Sequence, residues 1–309
     1  FLTRLKRRMH DSSMIPACFS SATTEKCESL ANAISKPGQC IFISVYQAKL
    51  AGKFRVITIT WRKNMLQHVL SFSVQPMSGS DEDFFCKIEM KPWSWGKRYG
   101  SKQFFIDGKP VDLVWDLQAA KFTTDAEPKS DYYLAIACEE EAVLVVGDLK
   151  KDAYRKTKCR PSLIDPMLIS RTEHLFGKRV FITRAKFHEK EKAKEISIRF
   201  NYFSQSHSDP QLEIQVEGEE AIQVHHLQWK FRGNHYLHIS SKRHVEICWD
   251  VHDWLFNSGP RYGLFMFKPV LSFSLPNDEH MNFITKNLDN EELDDHSIFC
   301  LFVYAWMLD

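Results

Sequence analysis

Two stretches of the chain carry the same landmarks in the same order, and this repetition confines the fold more than any other feature. Residues 91–122, KPWSWGKRYGSKQFFIDGKPVDLVWDLQAAKF, match residues 227–256, LQWKFRGNHYLHISSKRHVEICWDVHDWLF. Trp93 answers Trp229, Arg98 answers Arg232, Trp115-Asp116 answers Trp249-Asp250, and Phe122 answers Phe256. Upstream, Gln47-Ala48-Lys49-Leu50 answers Arg184-Ala185-Lys186-Phe187. Residues 57–61 answer 196–200, and 70–74 answer 212–216. Matching order with nearly matching spacing marks an internal duplication.

Each matched segment alternates with a period of two. Ile57, Ile59 and Trp61 share a face, as do Leu70, Phe72 and Val74, then Cys86, Ile88 and Met90, then Val111, Leu113 and Trp115. The second copy repeats the pattern with Ile196, Ile198 and Phe200, then Val245, Ile247 and Trp249. One apolar face per strand predicts antiparallel sheets covered on one side. The expected fold is all-β: two tandem, related antiparallel β-sandwich or β-barrel modules of about eight strands each. They share one extended interface or stand apart. On this reading Trp115 and Trp249 are buried. Asp107-Gly108 predicts a hairpin turn of type I′, which needs positive φ at both positions. The alternation slips just before the first Trp of each copy, at 90–93 and 224–227, and predicts a β-bulge there.

The boundaries follow. Residues 1–40 are expected to be poorly ordered, 41–147 form the first module, 148–172 link, and 173–309 form the second. The first half of the link, LKKDAYRKTKCR, predicts one or two helical turns, and the rest is an ordinary connector. A tight turn is expected at Glu139-Glu140-Glu141. The second module carries an acidic loop near 276–295. No run reaches the roughly 18 apolar residues of a membrane span, and residues 298–308 predict a buried strand. The amino end lacks an apolar secretory core, and Met9 is the expected start. Eight scattered cysteines with no C-x-x-C pair predict a reduced, cytoplasmic or nuclear protein.

The residues just quoted, extended to VYQAKLAGKFRVITITW, KIEMKPW, VGDLKKDAYRKT, SRTEHLFGK and the closing LFVYAWMLD, resemble the plant family known as domain of unknown function 868. The likeness runs from about Val45 onward, and MHDSSMIPACFSS is similar to that family's amino terminus. Residues 1–8 and a longer acidic loop near Asn290 depart from it. The resemblance implies a plant source and a soluble protein, and it carries over no catalytic residue.

Composition excludes several functions. Forty-one Lys and Arg against 39 Asp and Glu give a net charge of +2, which argues against a specific nucleic-acid binder. There is no G-x-S-x-G, H-E-x-x-H, Walker loop or dinucleotide fingerprint, so no catalytic or cofactor-binding residue is assigned. The histidines of the second copy raise a metal site. With a turn at Ser241-Lys242, however, His238 faces Val245 and His244 faces Ile239, and only His235, Glu246 and Cys248 share a face. No metal ligand is assigned. Asp116 and Asp250 each follow a Trp at a strand end and are expected to bond turn backbone. Aromatics alternate with cations at Trp95, Lys97 and Arg98, and again at Phe231 and Arg232. These five residues are the candidate surface for an anionic partner, a protein or an anionic lipid. The leading function is a non-enzymatic binding or scaffolding protein. The alternatives are a β-barrel carrier of an apolar ligand or lipid, and an enzyme with a site between the two modules.

Overall fold

The computed structural model describes residues 39–64, 67–76, 84–90, 98–187, 192–201, 209–240, 243–259, 261–271 and 299–308. Both the amino-terminal 1–38 and the acidic loop lie outside the described residues, as do Trp93, Trp95 and Lys97. The first half supplies β1 (Cys40–Leu50), β2 (Lys53–Lys63), β3 (His68–Pro76) and β4 (Phe84–Met90), then β5 (Tyr99–Ile106), β6 (Lys109–Asp116), β7 (Tyr133–Cys138) and β8 (Glu141–Gly147). Helix α1 (Lys150–Thr157) and a short β9 (Arg160–Pro161) lead to β10 (Met167–Gly177). The remainder is β11 (Val180–Ala185), β12 (Lys194–Asn201), β13 (Gln211–Val216), β14 (Glu219–Val224), β15 (Arg232–Ser240), β16 (Arg243–Asp250), helix α2 (His252–Phe256), β17 (Tyr262–Leu271) and β18 (Cys300–Met307). Among the described residues no helix is long and apolar enough to cross a membrane.

Local chemistry explains the hairpins. Asp107 and Gly108 have φ of 49° and 74°, the type I′ geometry their sequence predicts. Ala51-Gly52, Glu139-Glu140 and Glu217-Gly218 are two-residue loops of the same kind, all at positive φ. At Glu139-Glu140 neither residue is glycine. Lys109 Nζ pairs with Glu139 across the base of that turn at 2.7 Å.

These hairpins build meanders, and the meanders form three sheets. The largest has nine strands in the order β15-β16-β17-β18-β10-β1-β2-β3-β4. A five-stranded sheet, β5 to β9, and a four-stranded sheet, β11 to β14, complete the fold. None closes on itself, so the barrel alternative gives way to open sheets. The nine-stranded sheet draws β1–β4 from the first half and β15–β18 from the second. Between them β10 pairs antiparallel with β1 and parallel with β18. The two halves are thus joined through one sheet. The predicted helical turns of the link are α1, but the residues beyond it are no idle connector: β10 is the central strand of the sheet.

Burial follows the predicted alternation. Ile57, Ile59, Trp61, Leu70 and Phe72 are almost wholly buried, as are Val111, Leu113, Ile196, Ile198, Val245 and Ile247. Each such side chain contributes about 1.5–3 kcal/mol through burial. The five-stranded sheet packs on β1–β4: Phe104 lies 6.3 Å from Phe72, and Tyr132 meets Trp61 edge-on at 5.8 Å. The four-stranded sheet packs on β15–β18 through Trp254 of α2, whose ring lies 5.2–5.6 Å from Phe181, Phe200 and Phe265. Trp254 Nε1 donates to the Ala305 carbonyl at 2.9 Å, which satisfies its one buried polar atom.

Two expectations need correction. Trp115 and Trp249 do lie on the core side, but they are half-buried rather than buried. Each is paired with a glycine on the neighbouring edge strand, Gly100 and Gly233, and its indole occupies the space a Cβ there would need. With only a glycine beside it and no strand beyond, each ring is left partly uncovered. The expected bulge at 224–227 is instead a turn centred on His226 (φ 55°), with Trp229 N donating to His226 O at 2.9 Å. The alternation slips because the chain leaves one sheet for another. The first-half counterpart lies outside the described residues.

Candidate functional site

The end of the β15–β16 hairpin gathers an aromatic and cationic corner. Val251 N donates to Phe231 O at 2.9 Å and closes the strand pair. Asp250 Oδ1 then accepts His252 N at 3.1 Å, so the carboxylate starts α2 as an Asx turn. Its other oxygen takes Arg232 Nε at 2.8 Å. The Arg232 guanidinium stands 5.5 Å from the centre of the Phe231 ring. Phe231 is met edge-on by His252 at 5.5 Å and Phe256 at 5.8 Å. Trp254 points inward and fills the core, which leaves Phe256 54% exposed on the far side of the short helix. Trp229, in the turn just before Phe231, is 84% exposed. Lys230 is exposed beside it.

The first half builds the same corner. Leu117 N donates to Arg98 O at 2.7 Å, and Asp116 Oδ1 accepts Gln118 N at 3.0 Å. Both aspartates therefore bond turn backbone, as their position in the sequence predicts. Here the following chain turns inward. Phe122 packs on His68 at 3.9 Å and on Trp61 at 6.5 Å. Burial holds the His68 imidazole below its usual range, opposed by its bond to the Ala126 carbonyl.

Of the five candidate residues, Phe231 and Arg232 thus meet at one corner, and Arg98 sits at the other in the place of Phe231, not of Arg232 as the sequence alignment expects: Tyr99 is the residue opposite Asp116, as Arg232 is opposite Asp250. The two corners are on different sheets, at β15 and at β5. Trp95 and Lys97 lie outside the described residues. Trp229 is the exposed aromatic of this corner that the five candidates leave out. At this corner Arg232 is matched by Asp250, His252 Nδ1 stands 3.2 Å from Asp253, and His226 meets Asp209.

A second cluster lies inside, where all three sheets meet. Arg171 on β10 places Nη1 2.7 Å from Glu127 and Nε 2.6 Å from Glu173. Tyr132 donates to Glu127 at 3.0 Å, and Thr183 on β11 donates to Glu173. Phe42 lies under the guanidinium at 4.9 Å. Burial alone would lower the Arg171 pKa, but the two carboxylates outweigh it and hold the charge firmly. Burial, reinforced by Glu127, pushes Tyr46 up to about 12. It raises Tyr132 as well. These phenols stay protonated. Every charged group in the cluster already has a partner, an arrangement suited to clasping sheets together. No sequence signal pairs Glu127 with Arg171 or Thr183, which come from distant elements.

Outside these places a groove of about 340 Å³ opens beside the β1–β2 turn, lined by Lys49, Gly52, Cys138, Glu141, Arg160 and Leu163. Burial raises the Cys138 thiol, which weakens it as a nucleophile. Among the described residues no group of three or more His, Cys, Asp or Glu is gathered for a metal. The set His235, Glu246 and Cys248 is split: a register shift between His238 and Ser240 puts His235 opposite Ile247, while Tyr236 faces Glu246 and Asn234 faces Cys248.

No curated protein and no solved structure matches the chain. A family model described as a plant protein of unknown function matches residues 37–307, which takes in every described strand of the three sheets. The chain therefore belongs to the plant protein family of unknown function DUF868.

Proposed function

We propose that this chain is a non-catalytic binding protein that grips a protein partner at the corner formed by the 225–232 turn and α2. The observation that carries the reading is Trp229, 84% exposed two residues from a Phe231–Arg232–Phe256 cluster. A tryptophan held open to water on a rigid turn gains most of its burial only when something covers it. Trp and Arg are also the residues that dominate protein interfaces. Because Arg232 is paired with Asp250, the corner's positive charge is modest, with Lys230 exposed beside Trp229. A protein surface with an apolar slot suits it better than an anionic bilayer.

The same reading takes the halves as two copies of one unit. Each runs as a four-strand meander followed by a second one, β1–β4 with β5–β8 and β11–β14 with β15–β18. The Gly100–Trp115–Asp116 and Gly233–Trp249–Asp250 corners support it. Superposing 47–146 on 184–306 should bring Trp115 onto Trp249, and a different strand order in an experimental structure would reject the copy.

The second reading, an enzyme with its site between the halves, draws its support from the Arg171 cluster. The satisfied state of that cluster makes it secondary. An apolar carrier fits open sheets over a filled core poorly. Affinity purification from plant tissue with wild type, Trp229→Ala and Phe256→Ala tests the main reading. Partners lost from both variants support it. Partners retained by both, or a protein captured only by anionic vesicles, contradict it.

A further inference from the structure

The β15–β16 hairpin forms the edge of the nine-stranded sheet, and its outer face carries a histidine pair. The shift of register near its tip sets His238 directly opposite His244. This overturns the sequence expectation, in which each histidine faced an apolar residue. His238 Nδ1 stands 3.3 Å from His244 Nε2, with ring centroids 4.9 Å apart and planes inclined by 53°. His238 is exposed and His244 half-buried.

Two imidazole nitrogens at this spacing invite comparison of two causes. A hydrogen bond between them is long, since N–H donors usually sit about 2.7–3.2 Å from their acceptors. Two ligands of one tetrahedral ion fit better. At a metal–nitrogen distance of about 2.0–2.1 Å, ligand atoms separated by the tetrahedral angle lie about 3.3 Å apart. The rings come from facing strands, so the backbone ladder fixes their separation. We propose that His238 and His244 form a bidentate site for a borderline divalent transition metal, Zn²⁺, Ni²⁺ or Cu²⁺, clipping the edge strand β15 to its neighbour β16.

The surroundings agree in kind. Glu246 lies on the same face, two residues along β16, and adds negative potential. Its Oε1 accepts the Tyr236 hydroxyl at 3.2 Å and the Asn234 amide at 3.4 Å, which draws the carboxylate away from the pair and leaves the two imidazoles as the protein ligands. Two protein ligands leave the remaining positions to water or to a donor from another molecule, so binding is weaker than in a closed three- or four-ligand centre. Imidazole donors favour Cu²⁺, then Ni²⁺ and Zn²⁺, over Mn²⁺, and Mg²⁺ has no preference for them.

Isothermal titration of the full chain with zinc chloride and nickel chloride at pH 7.5 tests the site. The variants are His238→Asn, His244→Asn and the double variant, with His235→Asn on the opposite face as control. The proposal expects one equivalent bound by wild type and by the control. It expects a loss of tenfold or more in each single variant and little further loss in the double. A metal-induced rise in unfolding temperature should be present in wild type and absent from any folded variant. Should a variant fail to fold, zinc-induced shifts of the His238 and His244 ring protons in wild type give the answer instead. No binding by wild type, binding equal in all variants, or unshifted ring protons would overturn the site.

Discussion

The corner at Arg98–Leu117 and the corner at Phe231–Val251 are closed by the same kinds of contact and differ in what they do with the next turn of chain. In both, a glycine lies under a half-buried tryptophan, a carbonyl closes the strand pair, and an aspartate caps the exit. Leu117 and Val251 are both buried, but after the first corner Phe122 packs on His68 and Trp61. After the second, α2 sends Trp254 into the core, and that single filled position releases Phe256 to the surface. The lesson is one of supply. A corner needs one aromatic to seal its layer, and where a tryptophan does the sealing a neighbouring phenylalanine becomes available for contact with something else.

If that division is right, Trp254→Ala has the largest effect. Loss of a 3%-exposed tryptophan and the cavity left behind should lower stability by about 3–5 kcal/mol. A small change in the denaturant midpoint would mean the second corner is sealed by other residues.

The next effect belongs to neither corner but to β10, where the halves join. Trp306 Nε1 donates to His174 Nδ1 at 3.1 Å, and burial holds the imidazole down at about 4. A folded pKa below the unfolded value near 6.5 means the unfolded chain binds the proton more tightly. The stabilisation is complete above about pH 6.5 and is lost as pH falls from there through 4. Its full size is on the order of 3 kcal/mol. Chemical denaturation of wild type and His174→Gln between pH 7.5 and 4.5 checks it, since only wild type should lose this contribution. Parallel pH curves would contradict it.

The glycines sharpen the comparison further. A Cβ at Gly100 would stand 2.9 Å from Trp115, and one at Gly233 would be closer still to Trp249. Each alanine variant should cost about 1–3 kcal/mol by overpacking, with Gly233→Ala the worse. Thermal unfolding of the pair would reveal the order, and a reversed order would show that the second tryptophan yields more easily. Asp116→Ala and Asp250→Ala should each cost about 1 kcal/mol through the lost turn bond. The exposed Arg232 pairing should add little at the second site. A loss at Asp250 several times that at Asp116 would give the ion pair a structural weight that its exposure argues against. Smallest of all, Phe256→Ala should change stability by no more than about 0.5 kcal/mol, whereas Phe122→Ala should be clearly destabilising. Equal losses would erase the distinction between sealing and presenting.

What could be read from the sequence was local. Asp107-Gly108 names its own turn, Ile57, Ile59 and Trp61 name their face, and Asp116 and Asp250 name their strand ends. The pairing of β10 with β1 and β18 left no such mark, because partners in a sheet need only matching faces, and every strand here has one. The half-burial of Trp115 and Trp249 depended on which strands became edges. The meeting of His238 with His244 turned on a single-residue shift that alternation cannot register. Trp229 was left out of the candidate surface because nothing in the sequence of a turn tells an exposed tryptophan from a buried one. The Arg171 clasp joins residues from three elements that converge only once the sheets are stacked.

Hydroxyl-radical footprinting, read residue by residue by mass spectrometry, tests the contrast between the corners most directly. Trp229 and Phe256 should oxidise rapidly, and Trp254 and Phe122 slowly, after correction for the intrinsic reactivity of each ring. Comparable protection of Trp229 and Trp254, or of Phe256 and Phe122, in the free protein would contradict a second corner built to present its aromatics.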